Sequence, residues 1–191
     1  DDWTFIEVNT ALVPPGYVAE QDGTPYFEDI AVLLLDQPVQ DATDLPILAT
    51  SIDPQWVSEN MPVRSVGFGV TRLGQLSEYL RGVDLARVAV SECVSAWGSG
   101  GVESGKDICA GEPNPGNCGF AGVPQCADTC SGDSGGPLFK FDTATQTSTL
   151  HGLVSRGSAA CGLAGYPGIY TGIAPWKSAI EEVIATAPLR I

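Results

Sequence analysis

Apolar residues in this chain come in short bursts, each closed by Gly, Pro or an acidic residue. Trp3, Phe5, Ile6 and Val8 precede a Pro14-Pro15-Gly16 turn, which predicts a short strand followed by loop within residues 1–29. Ile30 to Leu35 is an unbroken apolar run headed by Glu28-Asp29, the pattern of a strand buried on both faces. The stretch after Pro46, with Pro54 and Pro62, reads as a linker between two halves. Strands are expected again at Val63–Gly69, at Leu80–Cys93 where Val83, Leu85, Val88 and Val90 lead into a loop, and at Leu150–Ser155. Helical spacing stands out near the C-terminus, where Trp176, Ile180, Val183, Ile184 and Ala187 recur between Pro175 and Pro188. An amphipathic packing helix is expected there. The pattern is all-β with a terminal helix, without internal repeats or low-complexity tracts.

Composition narrows the functional classes. The 191 residues suffice for one large domain or two small ones with a sizeable core, and 23 Gly with 14 Pro suit many short strands. A net charge of −14 and a pI near 4.1 disfavour nucleic acid and anionic membranes as partners, because both would be repelled. Solubility accounts for such charge more readily than recruitment of cationic ligands does. Six Cys and one His, with no neighbouring Cys-x2-Cys pairs, argue against a zinc site. The even Cys count predicts three disulfides and an oxidising, extracellular compartment, with fifteen pairings open. A membrane span of about 18 apolar residues is absent, and so is a signal-peptide pattern, which suggests a processed chain.

The candidate chemistry lies in Cys130-Ser131-Gly132-Asp133-Ser134-Gly135-Gly136-Pro137-Leu138. Glycines around a serine let backbone amides approach a reacting atom, so Ser134 can be presented beside the N–H groups of Gly132 and Ser134. Asp29, heading its apolar run, reads on its own as a capping or solvated carboxylate as readily as a functional one.

The Ser134 string resembles the nucleophile segment of the trypsin and chymotrypsin family of serine endopeptidases, and other segments follow in that family's order. Asp29-Ile30-Ala31 resembles the triad-aspartate segment, Val66-Gly67-Phe68-Gly69 the Gly-Trp-Gly strand, and Val154-Ser155-Arg156-Gly157 with Gly165–Thr171 the two pocket walls. The resemblance implies Ser134 as nucleophile, Asp29 as the carboxylate that orients the catalytic imidazole, and the Gly132 and Ser134 amides as oxyanion hole. Asp133 would pair with a new N-terminal ammonium. Asp128, six residues before Ser134, would sit at the base of a slot left open by Gly157 and Gly168, with Ser155 on its wall. Such a slot implies cleavage after Arg or Lys. Arg156 stands where the family has tryptophan, placing a cation beside the peptide-binding strand. The implied disulfides are Cys93–Cys109 and Cys130–Cys161, with Cys118 and Cys126 closing a local loop in the insertion from Gly111 to Gln125. No cofactor is implied.

The implied fold is a pair of Greek-key β-barrels with a C-terminal α-helix, residues 1–53 closing an incomplete first barrel and 54–191 forming the second. The implied base is missing. His151, the chain's one histidine, follows the nucleophile, where the family's base precedes the aspartate, so a structural imidazole is the expectation. Two readings follow. In one, a separate N-terminal fragment of the same protease, associated without a covalent tie, supplies the histidine; in the other, the chain is a noncatalytic homologue that binds or regulates.

Overall fold

The computed structural model describes residues 5–19, 26–40, 45–52, 62–112, 118 and 126–186. Strands β1 (Val8–Leu12) and β2 (Val32–Leu35) form a small antiparallel sheet with Leu12 opposite Val32. Seven further strands follow: β3 (Ile47–Leu48), β4 (Pro62–Gly67), β5 (Arg81–Val88), β6 (Asp107–Gly111), β7 (Pro137–Asp142), β8 (Thr147–Arg156) and β9 (Gly168–Gly172). Their order is β3-β8-β7-β4-β5-β6-β9, and β9 pairs back onto β8. Six strands therefore close an antiparallel barrel, while β3 lies outside it, parallel to β8 with Ile47 opposite Thr149. Closure removes the free edges that an open sheet would present.

Alternation sets the core. Val63, Leu85, Ile108, Ala110, Leu138, Val154 and Tyr170 point into the barrel and pack together. Each large side chain buried this way contributes roughly 1.5–3 kcal/mol. Tyr170 is fully buried, and its hydroxyl stays within 3.3 Å of Thr129 Oγ1. A second cluster forms outside the wall, where Cys93, Val102, Cys109 and Ile169 meet Val88, Val94 and Trp97. This outer layer explains why every residue of β6 and β9 is buried: one face looks into the barrel and the other is covered.

Helix α1 (Val90–Trp97) provides much of that cover. The strand expected over Leu80–Cys93 ends at Val88, and this helix takes over its last residues and the loop expected beyond, so Cys93 sits on a helix. Val90, Cys93, Val94 and Trp97 fall on one helical face, and Gly98, with φ +79°, ends it. The linker expectation also needs correction at Pro62, which is the first residue of β4, a position that needs no ladder N–H; Pro54 lies outside the described residues. The first strand begins at Val8, with Phe5 and Ile6 before it in irregular chain; Trp3 is outside the described residues. Strand β2 is not buried on both faces. It alternates between half-buried and exposed residues because, among the described residues, β1 is its only strand neighbour.

The C-terminal helix α2 spans Lys177–Thr186 and follows a 3-10 turn, Ala174–Trp176, that contains Pro175; Ala187 and Pro188 lie outside the described residues. Ile180 and Val183 line an apolar cavity of about 200 Å³ with Leu12, Ile30 and Trp176. The helix thus faces the β1–β2 sheet. Among the described residues, no helix is long and apolar enough to cross a membrane.

Three disulfides join Cys93 to Cys109, Cys118 to Cys126 and Cys130 to Cys161; the first and third are the pairings the resemblance implies, and the second is the local loop expected in the insertion. Most of residues 113–125, between Gly111 and Gln125, lies outside the described set.

Candidate active site

The loop from Asp128 to Pro137 is shaped by glycine geometry and one carboxylate. Gly132 and Gly135 have φ of +95° and +78°, which β-carbon-bearing residues resist. Asp133 folds back on the turn: its Oδ1 accepts a hydrogen bond from Gly69 N at 2.7 Å and its Oδ2 one from Cys130 N at 2.9 Å. A Cβ at Gly69 would stand 2.5 Å from both carboxylate oxygens, and one at Gly67 only 2.1 Å from Oδ1. Both glycines of the Gly67-Phe68-Gly69 stretch are therefore required by the Asp133 carboxylate. In this structure backbone amides hold both oxygens of the Asp133 carboxylate.

The amide of Asp133 donates to Cys130 O, that of Gly135 to Val154 O, and that of Gly136 to Asp133 O. The Gly132 and Ser134 amides are not consumed by these turn bonds. Ser134 itself is exposed, on the wall of a cavity of about 410 Å³.

The same cavity is lined by Asp29, Asp128, Ser155, Gly157, Gly168 and Tyr26. Cys130 and Cys161, joined by a disulfide, line it too. Asp128 accepts from Thr129 N at 2.8 Å and from Gly162 N at 2.9 Å. Burial pushes its carboxyl upward against those bonds, with the nearby Asp133 charge acting in the same direction. A Cβ at Gly168 would lie 2.9 Å from Asp128 Oδ1, so glycine there keeps the Asp128 end of the cavity open.

Asp29 arrives from the loop before β2. Its Oδ2 accepts the Ser155 hydroxyl at 2.8 Å, across 126 residues of sequence. The residue before it, Glu28, has φ +48°, an unusual conformation for a side-chain-bearing residue. Glu28 is held by its amide, which donates to Glu103 Oε2 at 3.3 Å, and by its carboxylate, which pairs with Lys106. Lys106 pairs in turn with Glu103 at 2.7 Å.

Arg156 lines the same cavity, and its charge is already paired. Its side chain is only 11% exposed and turns inward to an ion pair with Asp107, itself 3% exposed. It also donates to Gly101 O at 3.0 Å and lies with Cζ 6.0 Å from the Phe27 ring centroid. A clue was present in the sequence: Asp107 heads the apolar run Ile108-Cys109-Ala110, and a carboxylate entering such a run demands a partner. Burial still pushes the Asp107 carboxyl upward, with Arg156 opposing. The Ser155–Asp29 bond carried no comparable signal.

His151 is not in this cavity. It sits on β8, 4% exposed, where burial, with Arg87 and Lys140 nearby, lowers its pKa to about 4. Among the described residues, no cluster of His, Cys, Asp and Glu is arranged to hold a metal.

The Trypsin family model matches residues 4–180. Phenoloxidase-activating factor 1 of Holotrichia diomphalia is 32% identical over 176 residues, covering 91% of this chain and 44% of the relative. CLIP domain-containing serine protease B4 of Anopheles gambiae is 27% identical over 94% of the chain and 47% of its own length. Trypsin zeta of Drosophila melanogaster is 30% identical over 96% of the chain and 60% of its own length. The chain thus spans about half the length of these relatives. A closed six-stranded barrel, a glycine-bound serine turn and a family match over nearly the whole chain agree: this chain belongs to the trypsin family of serine proteases.

Proposed function

We propose that this chain supplies the nucleophile, the aspartate and the specificity slot of a secreted serine endopeptidase that cleaves protein substrates after Arg or Lys. The observation that carries the reading is the single cavity lined by Ser134, Asp29 and Asp128. Ser134 gives its proton to the base and attacks the substrate carbonyl, the oxyanion rests on the Gly132 and Ser134 amides, the scissile C–N bond breaks as the amine leaves with that proton, and water then hydrolyses the acyl-enzyme to free the acid and Ser134. Asp128 supplies the anion for a guanidinium or ammonium.

Ser134 needs a base. His151 is buried elsewhere and held neutral, so the reading assigns the base to a histidine on a separate N-terminal fragment of the same protease. In this reading residues 1–53 close a first barrel that the fragment completes, and 54–191 form the second. Exposed apolar residues on β1 and β2, among them Val8, Leu12, Leu33 and Leu35, support such a partner. The disulfides support an extracellular setting.

The test uses the full protein, with any N-terminal fragment present. Intact mass measurement should find a second, histidine-bearing polypeptide, and a fluorophosphonate should label Ser134 stoichiometrically. Peptides with Arg or Lys before the scissile bond should be cleaved, and Asp128→Ser should abolish that preference. No labelling of Ser134 would favour a noncatalytic binding homologue instead, and cleavage after basic residues by Asp128→Ser would refute the slot.

A further inference from the structure

Arg156 reaches the Asp29 carboxylate through one intermediary. Its Nη1 lies 3.3 Å from Ser155 Oγ, and Ser155 Oγ lies 2.8 Å from Asp29 Oδ2. A guanidinium has donors only, so at this contact the serine oxygen accepts. The hydroxyl carries a single proton, and with its acceptor side facing Arg156 that proton is directed to Asp29. The other end of the guanidinium is fixed. Nη2 is bound to Asp107 and to Gly101 O, and Nε points to the same carbonyl at 3.4 Å. Asp107 is anchored in turn by the Glu103 amide at 2.7 Å.

We infer that Arg156 is a positioning residue that fixes the Ser155 hydroxyl onto Asp29 and so holds the aim of that carboxylate. The inference rests on the proposed assignment of Asp29 as the group orienting the base. Asp107 neutralises the Arg156 charge locally, which leaves the guanidinium's geometry as its contribution. A planar fork can meet an anion, a carbonyl and a hydroxyl at once; an ammonium on a flexible stem cannot hold all three. Arg156 lines the Ser134 cavity, but its charge is paired with Asp107 and its donors are engaged, so it is not free to act as a cationic subsite for substrate.

The experiment compares Arg156→Lys, which can keep the ion pair with Asp107, and the neutral pair Asp107→Asn/Arg156→Gln in the full protein. Both should retain KM for an arginine ester substrate while kcat and the rate of fluorophosphonate labelling fall at least ~10-fold, as expected when a reacting group loses its aim. Unchanged kcat and labelling would overturn the inference, as would a raised KM with kcat intact, which marks a substrate subsite. Absence of labelling in the unsubstituted protein would count against the proposed function alone. A crystal structure of the neutral-pair variant decides the positioning independently: Ser155 Oγ should leave Asp29 Oδ2, and an undisturbed 2.8 Å contact would overturn the inference.

Discussion

Replacing Gly69 by alanine tests how the nucleophile turn is built. The Gly69 backbone is not in the left-handed region, so alanine brings no conformational strain of its own. The added Cβ would instead stand 2.4 Å from Asp133 Cγ and 2.5 Å from each carboxylate oxygen. No carbon tolerates that approach, so the carboxylate must move. Its two bonds, from Gly69 N and Cys130 N, are charge-assisted, and each is worth roughly 1.5–3 kcal/mol. Because part of that bonding can re-form with water, a net loss of about 2–4 kcal/mol is expected. For a chain of this size the corresponding fall in Tm is roughly 5–15 °C. Thermal unfolding with circular dichroism measures it, and Gly100→Ala, with open space around its Cβ, serves as the neutral comparison. The decisive step is a double-mutant cycle. In an Asp133→Ala background Gly69→Ala should cost little, because the three nearest atoms it meets all belong to Asp133. A Gly69→Ala protein as stable as the parent, or an equal cost in both backgrounds, would refute the reasoning.

Other outcomes follow from the same geometry. His151 has a folded pKa near 4 against an ordinary 6.5, so the folded protein resists a proton that the unfolded chain accepts. Its contribution is complete above pH 6.5 and is lost as pH falls to 4; His151→Gln should flatten the urea-derived stability profile in that window, removing up to ~3 kcal/mol of pH dependence. Arg156→Met leaves Asp107 buried without its cation and should cost about 3–5 kcal/mol in urea unfolding, whereas Arg156→Met/Asp107→Leu should recover most of it. Trp97→Phe removes the 2.9 Å bond from Trp97 Nε1 to Pro167 O and should cost about 1 kcal/mol, read from the shift in urea midpoint.

How much could be read beforehand depended on whether a feature was local. The glycine-rich Ser134 segment, the alternating strands and the helical spacing of Ile180 and Val183 are properties of short stretches, and they survive folding as written. Helix α1 was hidden because Val83, Leu85 and Val88 run straight into Val90 and Val94, so a two-residue period shades into a helical one without a breaker between them. Val32 to Leu35 are less buried than an apolar run suggests, although Ile30 before them is buried, because burial depends on neighbours, and among the described residues β2 has β1 alone beside it. The direction of the Arg156 side chain is not set locally, since it could turn either way. Asp107, 49 residues away in sequence, decides the direction. The Ser155–Asp29 bond joins residues 126 apart, and no local pattern encodes it.

Glu28 gives the Asp29 loop a distant owner. A side-chain-bearing residue held at φ +48° stores on the order of 1–3 kcal/mol of backbone strain. That conformation is maintained by Lys106 and Glu103, 78 and 75 residues downstream beside β6. The direction in which Asp29 faces is therefore written partly into a different segment from the one that carries it. Transplanting the Phe27–Ile30 loop into a relative without this acidic and basic pair would let Glu28 relax and carry Asp29 out of line with Ser155, although every residue of the transplanted loop was correct.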